Sequence, residues 1–325
     1  MKRSGLMGTA AVALSLMASA AFAQDMKNVA ISTIVEVPQL VESRLGALEA
    51  LAERGFVEGK NLTVDYQNAN GNMPTQQQIA KKFVGNAPDV ILAITTPTAQ
   101  AMAAATKDIP IVFVTVTDPL KASLITQYEK PGRNITGVSD AAPIGAQLDM
   151  FKEVVPNLKR IGFIYNPGLD NSVATLEQMR KAGAERGIVV VESPAPTTNE
   201  ITLAARKLIG DVGAIYIPND TTIVTAIEAI VKIGQDVKLP VFTGETGGVK
   251  RGALGSVGLD YMAVGRLAGN MVADVLEGAE PGQIDSVIAY RVVDKFKVVI
   301  NRGAAQRMGI ELPESVLAKA TEVVD

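Results

Sequence analysis

Two patterns of hydrophobic and polar positions alternate along the chain. Short apolar runs typical of buried strands lie at residues 29–35, 61–67, 89–95 and 109–116. Between them, apolar residues recur at helical spacing, as in the stretch from about Pro38 to Arg54. This β-α-β-α order predicts a parallel sheet covered by helices, with right-handed crossovers.

The second half of the chain repeats the same plan. Its strand-like runs lie at residues 160–166, 187–193, 212–218 and 239–244, again separated by stretches with helical spacing. A mature chain of this length exceeds a single core of usual size. The sequence therefore predicts an α/β fold with two similar, doubly wound parallel-sheet lobes.

Several segments are expected to join the lobes as a hinge. They are residues 134–143, residues 256–262 and an alternating, strand-like run at residues 287–301. We assign to lobe 1 residues 27–138 and about 261–285, and to lobe 2 residues 139–260 and about 286–320. Such a hinge allows the lobes to close around a ligand, and the alternative is two rigidly packed domains.

Polar side chains follow the predicted strands, and most of them lie just before a helix. Because ligands of parallel α/β sheets bind outside the carboxyl ends of the strands, we expect these loops to rim the cleft between the lobes. The candidate ligand-binding residues are Glu36, Thr96, Thr98, Thr117, Asn166, Asn171, Ser172, Asn219, Asp220 and Glu245.

Helix starts in these loops offer main-chain N–H groups to an anion such as a carboxylate. The alternative is that the polar residues only cap their own helices. The carboxylates of Asp220 and Glu245 favour a ligand that also carries a cation, and an amino acid carries both charges.

Residues 1–23 have the features of a secretory signal. Lys2 and Arg3 precede an apolar middle, and Ala21-Phe22-Ala23 fits a cleavage site after Ala23. We expect export to the periplasm. The alternative is a membrane anchor, but the apolar part is short for the roughly 20 residues that a bilayer requires.

The composition excludes several classes of chemistry. The chain has no histidine and no cysteine, so the usual zinc ligands and the Cys-His and Ser-His-Asp arrangements are missing. Scattered basic residues and a formal charge of −3 do not predict nucleic-acid binding. We expect no metal, no cofactor and no enzymatic activity; the alternative is an enzyme that uses Asp220 or Glu245 as a base.

The strings IPIVFVTVTDP, GRNITGVSD, FIYNPGLDNSV, YIPNDTTIV and GVKRGALGSVGLDYMAVGRLAG together resemble a known family. It comprises the substrate-binding proteins of ABC transporters for tryptophan, tyrosine and phenylalanine uptake. The resemblance implies a type I periplasmic-binding-protein fold that delivers an amino acid to a permease in the inner membrane. We expect a monomer without catalytic activity.

The resemblance also implies roles for some of these residues. The helix start at Thr96 and Thr98, with Asn171 and Ser172 from the other lobe, is expected near the ligand carboxylate. Asp220 is expected to pair with the α-ammonium, and Asn166 to contact the ligand from the end of its strand.

One position departs from the family pattern. Relatives often have Glu-His-Pro after the first strand, whereas this chain has Glu36-Val37-Pro38. The missing imidazole puts the preference for an aromatic side chain in question. The runner-up is a carbohydrate or nucleoside receptor of the same fold, which the scarcity of aromatic residues disfavours.

Overall fold

A computed structural model of the chain describes residues 26–293 and 296–325, so the signal predicted at 1–23 lies outside the described residues. The strands are β1 (Lys27–Thr33), β2 (Leu62–Asn68), β3 (Val90–Ile94), β4 (Ile111–Val114), β5 (Ile135–Ser139), β6 (Arg160–Tyr165), β7 (Val189–Pro194), β8 (Ala214–Ile217), β9 (Val241–Thr243), β10 (Gly255–Gly258), β11 (Val287–Ile288), β12 (Lys297–Asn301) and β13 (Glu322–Val324).

The α-helices are α1 (Pro38–Glu53), α2 (Met73–Asn86), α3 (Thr96–Ala105), α4 (Ile144–Val154), α5 (Asp170–Ala184), α6 (Ile201–Lys207), α7 (Ile227–Val237), α8 (Gly247–Lys250), α9 (Tyr261–Leu276), α10 (Arg302–Arg307) and α11 (Glu314–Lys319). In the part of the chain that the structure describes, none of them combines the length and the apolar character that crossing a membrane requires.

The strands form two sheets of similar topology. The order in the first is β2-β1-β3-β4-β5-β11, and all its pairs are parallel. The order in the second is β7-β6-β8-β9-β10-β12-β13, where only β10 and β12 pair antiparallel among the described strands. The predicted fold class is therefore confirmed. In each sheet the strand order reverses between the first and third strands of the lobe, which creates the switch point where ligands bind.

The chain passes between the two sheets at the expected places. It leaves the first sheet after β5 for α4, which packs against β10, and it returns after β10 through α9, which packs against α1 and β3–β5. The third passage runs from β11, which pairs with β5, to β12, which pairs with β10.

The strand-like run expected at residues 287–301 contains two separate strands, β11 and β12. Its two ends pair with different sheets, so a 3-10 turn at Ala289–Arg291 follows β11 and the run is interrupted before β12. Val287–Ile288 consequently lies in the first sheet, although the sequence assigned it to lobe 2. The other lobe boundaries stay a prediction.

Helices α1 and α9 hold the first lobe together through a close, glycine-lined contact. A Cβ atom on Gly265 would lie 2.0 Å from the main-chain oxygen of Ser43, and one on Gly269 would lie 2.4 Å from that of Ala47. On the facing helix, a Cβ atom on Gly46 would lie 2.2 Å from the oxygen of Met262. The helix backbones therefore touch, and α9 is fixed directly after the second passage between the sheets.

We predict that Gly269→Ala lowers the free energy of unfolding by about 1–3 kcal/mol, because the added methyl group overpacks a backbone contact. The matched control is Gly85→Ala in α2, where an added Cβ atom meets nothing within 4 Å among the described residues. There alanine should stabilise the helix by about 0.5–1 kcal/mol. Urea unfolding measures both, and equal stabilisation by both substitutions would contradict the close contact.

Candidate ligand site

A narrow cavity lies between the carboxyl ends of the two sheets. Its lining comes from both lobes and from two of the passages between them. A wider groove, lined by Glu36, Asn166 and other residues from both lobes, shares Pro97 and Thr221 with it.

The first helix turns at this cavity carry unsatisfied N–H groups. The N-cap residues of α1, α3 and α5 are Val37, Thr95 and Leu169, and none of them forms a side-chain cap within the described chain. Asn72, Asp260 and Asn301 cap α2, α9 and α10, whereas α4, α6, α7, α8 and α11 also begin without a side-chain cap from the described residues. Helix starts without caps retain free donors and a partial positive charge, which is the arrangement that binds a carboxylate.

A buried carboxylate, that of Asp140, lines the same cavity. Its Oδ1 accepts a hydrogen bond from Thr117 at 3.3 Å, and its Oδ2 accepts from Asn219 Nδ2 at 3.1 Å and from the Tyr261 hydroxyl at 3.2 Å. Burial raises the pKa of Asp140 in spite of these hydrogen bonds, which act to lower it. A cation in the cavity would restore the charged form.

Asn171 adds an open acceptor. Its Nδ2 donates to the main-chain oxygen of Asn219 at 2.7 Å, which leaves Oδ1 as the available atom. Oδ1 is buried and has no hydrogen-bond partner among residues 26–293 and 296–325. Because an unpaired buried acceptor is costly, this oxygen points to a ligand that donates a hydrogen bond.

Two cavity-lining threonines have a strained backbone. Thr95 follows β3 with φ 86°, and Thr115 follows β4 with φ 54°. Positive φ is rare for β-branched residues, and such outliers cluster where a binding site needs a fixed geometry. The strain is therefore located at the carboxyl ends of two neighbouring strands, directly on the cavity wall.

Part of the cavity wall is apolar. Val37 and Leu40 come from the start of α1, Pro97 from the start of α3, and Val224 from the second lobe. Val37 is 8% exposed, so the position at which this chain departs from the family pattern does line the cavity. Such a wall favours an apolar ligand side chain over a hydroxylated one.

The structure brings some of the predicted residues together here. Thr96, Thr117, Asn171 and Asn219 line the cavity. The side chain of Asn219 donates to Asp140 and Tyr261 and so fixes the acid. Which of these residues contact the ligand stays a prediction.

Asp220 has a local structural role in this geometry. Its Oδ1 accepts from the N–H groups of Thr222 and Ile223, and its Oδ2 accepts from the Asn166 N–H and the Ser172 hydroxyl. All four contacts are within the second lobe, and Asp220 is not among the residues that line the cavity. The expected pairing of Asp220 with an ammonium, and of Ser172 with a carboxylate, finds no support here.

Thr98 and Glu245 also lie away from the cavity wall. Thr98 is fully buried and contacts Thr95 and Gln76 through its hydroxyl. Glu245 is buried beside α8, where its Oε1 accepts from the Gly248 N–H at 2.8 Å. Neither side chain is among those that line the cavity.

Sequence reasoning missed Asp140, Tyr261, Thr95 and Thr115. The first two lie in the segments predicted to join the lobes, so a signal for them existed: polar groups in a hinge border the cleft that the hinge closes. The positive φ of Thr95 and Thr115 has no sequence signal, because glycine and not threonine is typical of that conformation.

Direct contacts bridge the two lobes. Gln100 in α3 donates to the Asp170 carboxylate at the start of α5 at 2.7 Å, and Lys121 forms an ion pair with Glu177 in the same helix. Helix α5 of the second lobe is therefore in direct contact with the first lobe.

Comparisons with known proteins agree with this architecture. A tyrosine-binding protein from Clostridioides difficile is 37% identical over 288 residues, which cover 89% of this chain and 82% of that protein. A Vibrio cholerae conserved domain protein of solved structure shares 43% identity, with a TM-score of 0.89 over 92% of this chain and all of that one.

Two further structures show how the lobes are arranged. An ABC domain from Streptococcus pneumonia in complex with L-Trp is 34% identical, with a TM-score of 0.88 over 92% of this chain and 100% of that chain. A ligand-free, open substrate-binding protein with adhesive properties from Clostridium difficile is also 34% identical, but its TM-score is 0.70 over 92% of this chain and 99% of that chain. At equal sequence identity, this chain is therefore more similar in structure to the complex with L-Trp than to the ligand-free, open protein.

A sequence profile of the family described as ABC transporter substrate binding protein matches residues 28–324. This match covers almost all of the described residues, and it agrees with the relatives above in fold and in extent. The expected type I periplasmic-binding-protein fold is thereby confirmed. The chain belongs to the ABC transporter substrate binding protein family.

Proposed function

We propose that this chain is the extracytoplasmic receptor of an ABC importer and binds an α-amino acid with an aromatic or other apolar side chain. The carrying observation is that one cavity combines uncapped helix starts with a buried carboxylate, Asp140. A zwitterionic ligand needs both, since the helix starts suit its carboxylate and the Asp140 carboxylate suits its ammonium. The bound ligands of two relatives, tyrosine and L-Trp by their names, support the same class.

The ligand carboxylate is assigned to the first turn of α3, where the N–H groups of Thr96 and Thr98 have no side-chain cap in the described chain. The ligand ammonium is assigned to Asp140 and to Oδ1 of Asn171. Asp140 replaces Asp220 as the partner, because the hydrogen bonds of Asp220 are already formed within the protein. The charge of Asp140 then offsets that of the ammonium.

The ligand side chain is assigned to the apolar wall formed by Val37, Leu40 and Val224. Val37 provides no polar ring, so contact with the side chain is by packing alone at this position. Binding would close the lobes and present the closed form to a permease in the inner membrane. Export to the periplasm after cleavage at Ala23, and a monomeric state, belong to the same proposal.

We predict that residues 24–325, refolded without ligand, respond in a thermal-shift screen to L-Phe, L-Tyr or L-Trp. Ligand at a hundred times its dissociation constant adds about 2.7 kcal/mol of stability, which raises the melting temperature by several degrees. Sugars and nucleosides are the comparison, since they lack the paired charges. A response to those compounds alone would overturn the amino-acid assignment and leave the fold intact.

We predict that Asp140→Asn weakens binding of the responding amino acid by about thirtyfold or more, because removing one partner of a buried charge pair costs about 2–5 kcal/mol. In the wild type, affinity should fall on acidification at a pH above the usual range of an aspartate, since burial raises the pKa of Asp140 and only the carboxylate pairs with an ammonium. Isothermal titration calorimetry measures both effects.

Two controls accompany this substitution. Asp118→Asn alters an acid that caps the Lys121 N–H outside the cavity, so affinity should stay within about twofold. Asp220→Asn should lower the melting temperature of the protein, whereas the affinity of the folded protein should fall by less than it does in Asp140→Asn. A larger loss of affinity from Asp220→Asn than from Asp140→Asn would restore the original assignment.

An enzymatic role for Glu245 would need the acid to reach the cavity. Burial raises the pKa of Glu245 to about 7, a value suited to a general base. However, its contacts are with the start of α8, and a Cβ atom on Gly247 would lie 2.9 Å from its Oε2. We assign Glu245 to the structure of the second lobe.

We predict that Glu245→Gln changes the pH dependence of stability and leaves ligand affinity unchanged. The folded pKa of about 7 lies above the unfolded value, so Glu245 contributes stability below about pH 4.5 that is lost as pH rises through 7. The loss is at most about 3 kcal/mol. Glutamine cannot ionise. The free energy of unfolding of the variant, relative to that of the wild type, should therefore increase from pH 5 to pH 8.

The control for this pH series is Glu228→Gln. The Arg251 guanidinium lowers the pKa of Glu228, so the stability from this ion pair is lost only on acidification below its unfolded pKa. The difference in free energy of unfolding between Glu228→Gln and the wild type should therefore stay constant between pH 5 and 8. Urea unfolding at several pH values gives both differences, and a flat series for Glu245→Gln would contradict its buried, protonated state.

A further inference from the structure

Gln39 is a polar side chain within the apolar part of the cavity wall. It lies in the first turn of α1, between Val37 and Leu40, and all three residues line the cavity. Gln39 is 7% exposed, so more than nine-tenths of the residue is buried. A buried amide is expected to have hydrogen-bond partners, because leaving it unpaired is costly.

The protein supplies no partner for this amide among residues 26–293 and 296–325. The Ser43 hydroxyl donates to the main-chain oxygen of Gln39 at 3.1 Å, and no described group bonds to the side chain. The amide atoms are not among the fully enclosed atoms that lack a partner, so they keep some open surface. Since Gln39 lines the cavity, the open surface of the amide faces the cavity.

The second lobe leaves space for the amide beside α8. A Cβ atom on Gly247 would lie 3.2 Å from Gln39 Oε1 and 2.9 Å from Glu245 Oε2, so both oxygen atoms border a position where glycine has no side chain. Glu245 Oε2 has no partner in the described chain, so the two side chains are neighbours without a hydrogen bond between them. The bonding capacity of the Gln39 amide is therefore open to a ligand.

The position of Gln39 indicates which part of a ligand it meets. The proposed function assigns the ligand carboxylate to the first turn of α3 and the ammonium to Asp140 and Asn171. It assigns the ligand side chain to a wall that includes Val37 and Leu40, and Gln39 shares the start of α1 with these two residues. This arrangement places the Gln39 amide at the ligand side chain and not at the head group.

The chemistry of the amide restricts the group that it can bind. An amide offers one acceptor oxygen and two N–H donors, whereas a phenol hydroxyl both accepts and donates, so a phenol satisfies the amide in either orientation. A phenyl ring offers neither and would leave the amide unpaired. A site built around such a hydrogen bond discriminates against the ligand that lacks the hydroxyl. The faces of the ring would pack on the apolar wall, and only its end would be polar.

We propose that Gln39 is a specificity-determining residue whose amide binds the hydroxyl group at the end of a ligand ring, so that this chain selects L-tyrosine over L-phenylalanine. This inference rests on the proposed binding of an α-amino acid and adds which aromatic ring the site takes.

The test compares matched variants on matched ligands. Gln39→Met removes the amide and nearly keeps the length and volume of the side chain, and Gln39→Leu replaces it should Gln39→Met fail to fold. Leu40→Met is the control, because it introduces the same residue at the neighbouring position of the same wall. L-Tyrosine and L-phenylalanine differ only in the ring hydroxyl. Isothermal titration calorimetry gives the affinities, and thermal unfolding without ligand confirms that each variant is folded.

We predict that the wild type binds L-tyrosine at least about tenfold more tightly than L-phenylalanine, and that Gln39→Met brings the two affinities within about twofold of each other. The affinity for L-tyrosine should fall, because its hydroxyl loses a partner. The affinity for L-phenylalanine should stay constant or rise, because the unpaired amide is gone. Leu40→Met should change both affinities by the same factor, as a purely structural defect would, so the ratio of affinities isolates the hydrogen bond.

Other results would overturn the inference in distinguishable ways. Equal affinities of the wild type for both ligands would show that Gln39 does not meet the ring hydroxyl, while amino-acid binding stands. Equal losses for both ligands in Gln39→Met would show that Gln39 acts on the head group or on the fold. Binding of another amino acid but not of L-tyrosine would overturn this inference alone, and binding of no amino acid would remove the proposed function with it.

Discussion

The buried carboxylate of Asp140 is the interaction on which the site depends. Its three hydrogen bonds come from Thr117 in the first lobe, Asn219 in the second and Tyr261 at the start of α9, so a single acid connects both lobes and a hinge segment. Burying a charge is costly unless it is hydrogen-bonded and paired. The three donors meet the first condition. A cationic group on the ligand would meet the second, and for that reason closure and ligand binding belong to one equilibrium.

Several groups that border the same cavity lack a partner within the described residues. A missing N-cap side chain costs a helix about 1 kcal/mol, and α1, α3 and α5 all begin at the cavity without one from the described residues. The unpaired Oδ1 of Asn171 and the positive φ of Thr95 add to that cost. Proteins retain such local instability where the unsatisfied groups have a partner that is absent from the free chain. Uncapped helix starts and the unpaired Asn171 Oδ1 atom are thus features of the candidate site.

The sequence was sufficient for the architecture and only partly for the site. Short apolar runs predicted β1–β4 and β6–β9, because burial on both faces of a parallel sheet leaves a strong apolar signal. Strands β5, β10 and β13 were not predicted. The acid that lines the cavity was harder to predict from the sequence. Asp220 follows a strand, and its Oδ1 accepts from the N–H groups two and three residues on, which agrees with the capping alternative raised from sequence. Its Oδ2 accepts from the Asn166 N–H and the Ser172 hydroxyl, which lie far away in the sequence. Asp140 lies in a hinge segment, and only the tertiary fold brings it to Asn219.

The two lobes contribute different groups to the candidate site. The first lobe and the hinge contribute the strained threonines, the uncapped start of α3 and Asp140. The second lobe contributes Asn171 and Asn219, and the side chain of Asn219 donates to Asp140. A ligand can shift the closed state only by its differential affinity for it. In the proposed binding mode, the contacts of the ligand carboxylate lie on the first lobe alone. The difference in affinity would then come from the ammonium end and from the apolar contact of Val224, so the acceptors around Asp140 would couple recognition to closure.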